Sequence, residues 1–332
     1  MRNTRTLPAV LLGVVLVLTA CSSDDTGSAE NEPEADTEDI ACGLPDPDPD
    51  RESVGDGGFP VTVTDDLGEV TLEETPERIV SLSPSHTEIL FAIGAGDQVE
   101  AVDEYSYYPE EAPVTDLSGY EPNVEAITEF DPDLVVFGGS TPELKEQLEA
   151  VDIPAVVVDA APDLEDAYAQ MRLFGDLTGN PEEADAEADR VESEVNEIVD
   201  NVCAETDGGG ASFYHELDDT LFSATSETFI GQIYAAFGLA NIADAADDGA
   251  AGGYPQLSTE YVVEEDADLI FLAYGDENTA EEVAERPAFD TVTAVQNDAV
   301  YLLDEDIASR WGPRVVDLTQ DVADAVLEQT GA

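Results

Sequence analysis

The chain has 332 residues, of which 78 are acidic and only 10 are lysine or arginine, giving a formal net charge of −68. That balance excludes nucleic acid as a partner, because neutralising phosphates takes a basic patch; it also excludes docking on anionic lipid through a polybasic face. Self-repulsion of this size weakens a compact state in dilute buffer and is screened at ~1 M salt, where the Debye length is about 3 Å, so a salt-rich environment is expected.

In chain order, the first twenty residues contain no acid. Arg2 and Arg5 precede an apolar run from Leu7 to Leu18, which falls short of the ~20 residues of a bilayer span. Small residues follow in Leu18-Thr19-Ala20-Cys21, so residues 1–21 read as an export signal. The tetrapeptide resembles the lipobox of bacterial lipoproteins, which implies a lipidated Cys21 and an exported protein tethered to the outer face of the cell membrane. Residues 22–58 are rich in Asp, Glu, Ser, Gly and Pro and include Pro45-Asp46-Pro47-Asp48-Pro49-Asp50; they are expected to be a disordered acidic spacer. Cys42 and Cys203 remain as an even pair in an oxidising compartment and are read as a disulfide, with two unpaired thiols as the alternative. Two separated cysteines and two histidines do not make a standard zinc set, and no bound metal is expected.

Folded character begins near Phe59. Val61–Thr64 and Val70–Leu72 flank Asp66-Leu67-Gly68 and predict a hairpin. Arg78–Leu82 predicts a strand, followed by Ser83-Pro84 as N-cap and first helical residue. That helix carries Ile89, Leu90 and Ile93 on one face and stops at Gly94. Leu134–Phe137 and Ala155–Val158 are continuous apolar strands around a helix near Leu144–Val151, the βαβ pattern of a parallel sheet. Helices are predicted over Leu164–Leu177 and Glu182–Val202. The second has a narrow apolar stripe of Ala184, Ala188, Val191, Val195, Ile198 and Val202, suited to a bridge lying across two lobes. A second alternating series follows Gly208-Gly209-Gly210 and closes on a Val315–Leu327 helix. The expected architecture is α/β: two Rossmann-like lobes with central parallel sheets (59–180 and 208–332), joined by one long helix (181–207), with a ligand cleft between them.

The two halves echo each other. Asn123-Val124-Glu125 starts a short helix followed by Asp131, Asp133 and the strand from Leu134. Ser258-Thr259-Glu260 starts another, followed at the same offsets by Asp266, Asp268 and the strand from Leu269. Each glutamate falls in a first helical turn, where the dipole favours it. Two lobes each presenting one exposed acid suit a two-fold partner bearing basic residues.

Ser81-Leu82-Ser83-Pro84-Ser85-His86-Thr87-Glu88, Glu104-Tyr105-Ser106-Tyr107-Tyr108-Pro109 and Asn123–Glu125 with Asp131–Val135 resemble the solute-binding proteins of cobalamin and ferric-siderophore ABC importers. So do Thr225–Gly238, Tyr254–Ser258 with Glu260, and Arg310-Trp311-Gly312-Pro313-Arg314. The resemblance covers about residues 59–330. It implies a monomeric receptor with a small-molecule ligand between its lobes. It also implies an ABC permease dimer with ATPase subunits as partner, on whose arginines Glu125 and Glu260 dock. Tyr105 and Asp306 match positions that contact corrinoid in cobalamin binders.

Ligands of parallel α/β lobes sit beyond the carboxyl ends of strands. The candidate ligand-binding residues are accordingly Ser85, His86, Tyr105, Tyr107, Tyr120, Ser226, Tyr254, Asp306, Arg310 and Trp311. Aromatic walls with few polar groups suit a large, flat ligand, and one or two of the tyrosines are expected to pack on the lobe surface instead. Arg310 reads equally as a contact to an anionic chelate or as a salt-bridge partner for nearby acids. His86 is placed at the cleft and His215 in the core or rim. The expected ligand is cobalamin or a ferric siderophore, with Fe(III), haem or another metal chelate as the alternative. A secreted hydrolase ranks behind these, since no nucleophile elbow, phosphate loop or His-Glu-x-x-His occurs.

Overall fold

The computed structural model describes residues 42–44, 57–139, 141–206 and 210–331. The expected export signal, Cys21 and most of the acidic stretch lie outside them. No helix among the described residues is long and apolar enough to cross a membrane.

The hairpin forms as predicted, from β1 (Val61–Asp65) and β2 (Gly68–Leu72) in antiparallel register. Its corner is tied to the first lobe by charge. The fully buried Asp65 carboxylate accepts from Lys145 Nζ at 2.7 Å and from Val157 N at 2.8 Å. Removing either partner of a pair this deep strands a charge, at about 3–5 kcal/mol.

The first lobe follows: β3 (Ile79–Ser81), α1 (Pro84–Ala92), β4 (Val99–Asp103), β5 (Val114–Leu117), α2 (Val124–Thr128), β6 (Leu134–Phe137), α3 (Pro142–Glu149) and β7 (Ala155–Val157). The strands form one parallel sheet in the order β5-β4-β3-β6-β7. All residues of β3, β6 and β7 are buried, because helices cover both faces of such a sheet. In α1, Ile89, Leu90 and Ile93 are fully buried and Gly94 takes φ +80. Ser83 sits at the N-cap, but its side chain makes no capping bond; its carbonyl instead accepts from Thr87 N and Thr87 Oγ1.

Next come α4 (Leu164–Thr178) and α5 (Pro181–Thr206), the latter about 39 Å long at 1.5 Å per residue. The second lobe contains β8 (Ser212–Glu216), α6 (Phe229–Ala236), β9 (Ala240–Asn241), α7 (Thr259–Glu265), β10 (Leu269–Leu272), α8 (Thr279–Ala284), α9 (Thr293–Gln296), β11 (Val300–Leu302), α10 (Glu305–Ala308) and α11 (Val315–Thr330). Its sheet is parallel in the order β11-β10-β8-β9. The long helix packs on α4 of one lobe and α11 of the other. Its contact with α4 is close enough to require glycine: a Cβ on Gly175 would lie 2.3 Å from Ala184 Cβ. The buried stripe is Ala184, Ala188, Val191, Val195, Val199 and Val202. Val199 takes the place of the predicted Ile198, which is only partly buried: the two flank the stripe on opposite sides, and the packing of the helix covers the Val199 side.

A disulfide joins Cys42 to Cys203 with a Cα separation of 5.7 Å. Gly43 N donates to Ala236 O at 2.8 Å, and Leu44 packs on the core. Residues 42–44 are therefore docked on the second lobe, which corrects the expectation of a spacer disordered throughout 22–58.

Candidate ligand-binding site

Both sheets grow outward from a central pair of strands, β3/β6 in the first lobe and β8/β10 in the second. At such a switch point the loops leaving adjacent strands part in opposite directions and open a crevice. A cleft of about 820 Å³ lies there in the first lobe. Every strand of that sheet supplies lining residues just beyond its carboxyl end. They are Leu82–Ser85 after β3, Asp103 and Tyr105 at β4, Gly119-Tyr120 after β5, Gly138-Gly139 after β6, and Asp159-Ala160 after β7. Gly138 has to be glycine, since a Cβ there would meet Val158 O at 2.9 Å. The opposite wall is α10 and the turn after it, through Glu305, Asp306, Ser309, Arg310 and Trp311.

Of the predicted ligand-binding residues, the cleft brings together Ser85, Tyr105, Tyr120, Asp306, Arg310 and Trp311. Tyr105 and the 85 % exposed Tyr120 meet edge-to-face at 5.9 Å, an aromatic corner open to solvent. Trp311 is oriented by its ring N–H, which donates to Gln170 Oε1 at 2.9 Å. Ser85 is 1 % exposed, and its Oγ accepts from Trp311 N at 3.4 Å.

The other four lie elsewhere. Tyr107 does not line the cleft; its hydroxyl donates to the Asp306 carboxylate at 2.6 Å, a bond that raises its pKa. Ser226 and Tyr254 do not line the cleft either, nor do Tyr214–Glu216 and Tyr274. On that side the wall is taken by the α10 segment, held against the first lobe by Arg310 and Arg314. Ser226 N donates to Asp244 Oδ1, while Glu216 is locked in a buried pair with Arg286 and also accepts from Tyr274 OH.

His86 is a correction of a different kind. Its ring is fully buried beneath the floor, 5.1 Å from the ring of Phe174 and 6.2 Å from that of Trp311. Neither nitrogen makes a hydrogen bond of normal geometry. Burial lowers its pKa to about 4, against smaller opposing pulls from Val158 and Asp159. As the third residue of α1 it points back into the lobe rather than up into the cleft. His215 is also a core residue, fully buried, with Nδ1 2.8 Å from Tyr234 OH.

Arg310 resolves in favour of salt bridging. It is 7 % exposed and donates to Glu88 Oε1 at 3.0 Å, Asp306 Oδ1 at 2.7 Å and the Tyr105 carbonyl at 3.2 Å. With its positive charge answered by these partners, the cleft keeps an acidic lining of Asp103, Asp159, Glu305 and Asp306. Asp103 is fixed by Tyr105 N at 2.8 Å and Ser106 Oγ at 2.6 Å, and Asp159 by Gly139 N at 2.8 Å. Sequence reasoning missed Glu88, Asp159 and Glu305. For Asp159 a signal was available, since it directly follows a parallel strand; Glu88 closes the Ser81–Glu88 motif, but nothing local names its partners, which are more than 200 residues away. Among the described residues no three His, Cys, Asp or Glu are grouped to hold a metal ion.

The echoed motifs share geometry as well as spacing. Asn123 Oδ1 accepts from Ala126 N, and Ser258 Oγ from Tyr261 N. Asp131 and Asp266 take φ +50 and +51. Asp133 accepts from the Glu77 and Arg78 amides, and Asp268 from the Ser212 amide, so both clamp the start of each lobe's first strand. Glu125 and Glu260 are both exposed.

Two lobes, one long helix between them and a cleft at strand ends define a solute-binding receptor. The sequence profile of the periplasmic binding proteins matches residues 79–307, and the chain belongs to that family. It is 28 % identical over 280 residues to YvrC, an ABC transporter substrate-binding lipoprotein of Bacillus subtilis, covering 82 % of this chain and 87 % of the relative. It is 31 % identical over 277 residues to a cobalamin-binding protein of Halobacterium salinarum, covering 80 % and 74 %. Among solved structures, the vitamin B12 binding protein BtuF of Vibrio cholerae superposes with a TM-score of 0.64 at 24 % identity, over 77 % of this chain and 99 % of that one. The haem-binding protein RhuT of Roseiflexus gives 0.65 at 23 %, over 76 % and 99 %. Both likenesses concern the fold alone.

Proposed function

We propose that this chain is the extracytoplasmic receptor of an ABC importer, held at the membrane by a lipid on Cys21, and that it delivers cobalamin to the permease. The observation that carries the ligand is the cleft itself. Its volume stands in the upper part of the roughly 300–1,000 Å³ range of small-molecule sites. Tyr105, Tyr120 and Trp311 offer aromatic faces to a large flat ligand, and the acidic lining favours a neutral or cationic one. The name of the Halobacterium relative points the same way. Cationic ferric hydroxamates fit the same charge and form the second reading. Anionic catecholates and the propionates of haem would meet Asp103, Asp159 and Glu305 beside the Asp306–Arg310 pair, with the Arg310 charge already answered.

Calorimetric titration in molar salt tests this with cyanocobalamin, a ferrioxamine-type chelate and haem. Saturable 1:1 binding of cyanocobalamin is expected, with quenching of Trp311, the single tryptophan, and no turnover. Tight haem binding without cobalamin binding would overturn the assignment. Tyr120→Ala, at a solvent-facing position, is expected to weaken cobalamin roughly 10-fold through lost ring contact at little cost to stability.

A further inference from the structure

We infer that Glu88 is the positioning residue of a buried inter-lobe latch, which sets the spacing of the lobes and so the shape in which the cleft meets its ligand. Glu88 lies on α1 of the first lobe and is 3 % exposed. The partners of its carboxylate, Arg310 and Arg314, come from the second lobe. Arg314 grips it as a fork, Nε to Oε2 at 3.0 Å and Nη2 to Oε1 at 2.6 Å, while Arg310 Nη1 reaches Oε1 at 3.0 Å. Arg310 also holds Asp306, whose carboxylate accepts from Tyr107 OH in the first lobe. The rings of Tyr107 and Tyr108 lie against the Arg310 and Arg314 guanidiniums at 5.3 and 4.2 Å.

Two carboxylates balance two guanidiniums, so the cluster buries no net charge. Its bonds are directional and charge-assisted, and forked pairs of this kind are satisfied at one separation only. An apolar contact can slide, whereas this one is either made or broken. The long helix resists a wide hinge, which leaves the spacing at the cleft edge to contacts made there.

Two features connect the latch to ligand. Tyr105 and Asp306 belong to both: each lines the cleft, and each bonds Arg310. A ligand that displaces either therefore acts on Arg310. On the far side, a second cavity of about 370 Å³ lies against Glu88, Tyr108, Arg190 and Arg314, giving Arg314 room to release. The latch is thus the partition between the ligand cleft and a space into which it can open.

The affinity part of this inference rests on the cobalamin reading, whereas the spacing part does not. The test uses the full chain with spin labels on cysteines at the exposed positions Glu149 and Glu285, one on each lobe. Pulsed dipolar spectroscopy of the unliganded protein is expected to give one narrow distance, which broadens in Glu88→Gln and in Arg314→Met. Arg314 does not line the cleft, yet its variant is expected to weaken cyanocobalamin about 10- to 100-fold along with Glu88→Gln. A purely structural role would lower the melting temperature of both variants while leaving the distance in the folded protein narrow; that result overturns the latch. If Glu88→Gln does not fold, Arg314→Met decides. Should the parent protein not bind cyanocobalamin, the cobalamin reading falls, and the distance measurement still decides the latch.

Discussion

Replacing Glu125 and Glu260 together by arginine is expected to abolish ligand uptake while leaving ligand affinity unchanged. Both side chains are exposed in the first turn of short helices whose caps, Asn123 and Ser258, stay intact. Substitution at such positions costs little stability, at most the about 0.3–1 kcal/mol of a favourable helix-dipole contact. Neither residue lines the cleft. Against a partner presenting basic residues to both lobes, each reversal turns an attraction into a like-charge contact. Breaking a buried charge pair at an interface costs about 2–5 kcal/mol, so two reversals amount to at least a 10³-fold loss of the docked complex. Each single variant is expected to lower uptake in part. Uptake assays beside calorimetry separate the outcomes: lost affinity would place the glutamates at the ligand, and undiminished uptake would place docking elsewhere.

Acidification from pH 7 to pH 5 is expected to destabilise the fold by roughly 4 kcal/mol, about 2 from each buried histidine. Burial lowers both His86 and His215 to about 4, while the unfolded chain titrates near the ordinary 6.5. Between those values the unfolded state binds more protons than the native one. The full stability is therefore present above pH 6.5 and is lost as pH falls toward 4. Asp166 and Asp321, both raised by burial, act with the opposite sign, but from an ordinary value of 3.8, below most of this window. Urea unfolding at fixed molar salt reads the difference directly. His86→Phe removes one titration without stranding a partner, since neither ring nitrogen makes a normal hydrogen bond, and should halve the pH dependence. A flat profile in the parent protein would mean that the histidines are not held neutral. The same burial that makes His86 pH-sensitive keeps it out of the cleft lining.

Local chemistry made much of this protein legible before any coordinates. Continuous apolar runs at β6 and β7 reported a sheet covered on both faces, and the polar 26-residue α5 with its thin stripe reported a bridge. The matched Asn123 and Ser258 motifs reported two related lobes, because caps, first-turn acids and strand starts are governed by residues a few positions apart. Tyr105, Tyr120 and Trp311 were placed at the cleft by the rule that loops beyond parallel strands line such crevices. That rule places a loop but not the direction of each side chain. Tyr107, one position past Ser106, turns to Asp306, and His86 turns inward with the helix.

By itself, then, the sequence determined the α/β class, the two lobes and their connecting helix, the order of the site-bearing loops and the acidic character of the chain. These follow from periodicity, capping and composition, which act over a few residues or over the whole. Only the tertiary structure decided what Arg310 does, because its choice between ligand and salt bridge depends on Glu88, 222 positions earlier. It likewise decided that the second lobe reaches the cleft through α10 and the turn after it, and it settled the Cys42–Cys203 disulfide over two unpaired thiols. Pairings between distant segments carry no local signature, since a charge or a thiol looks the same in sequence whatever the fold brings against it.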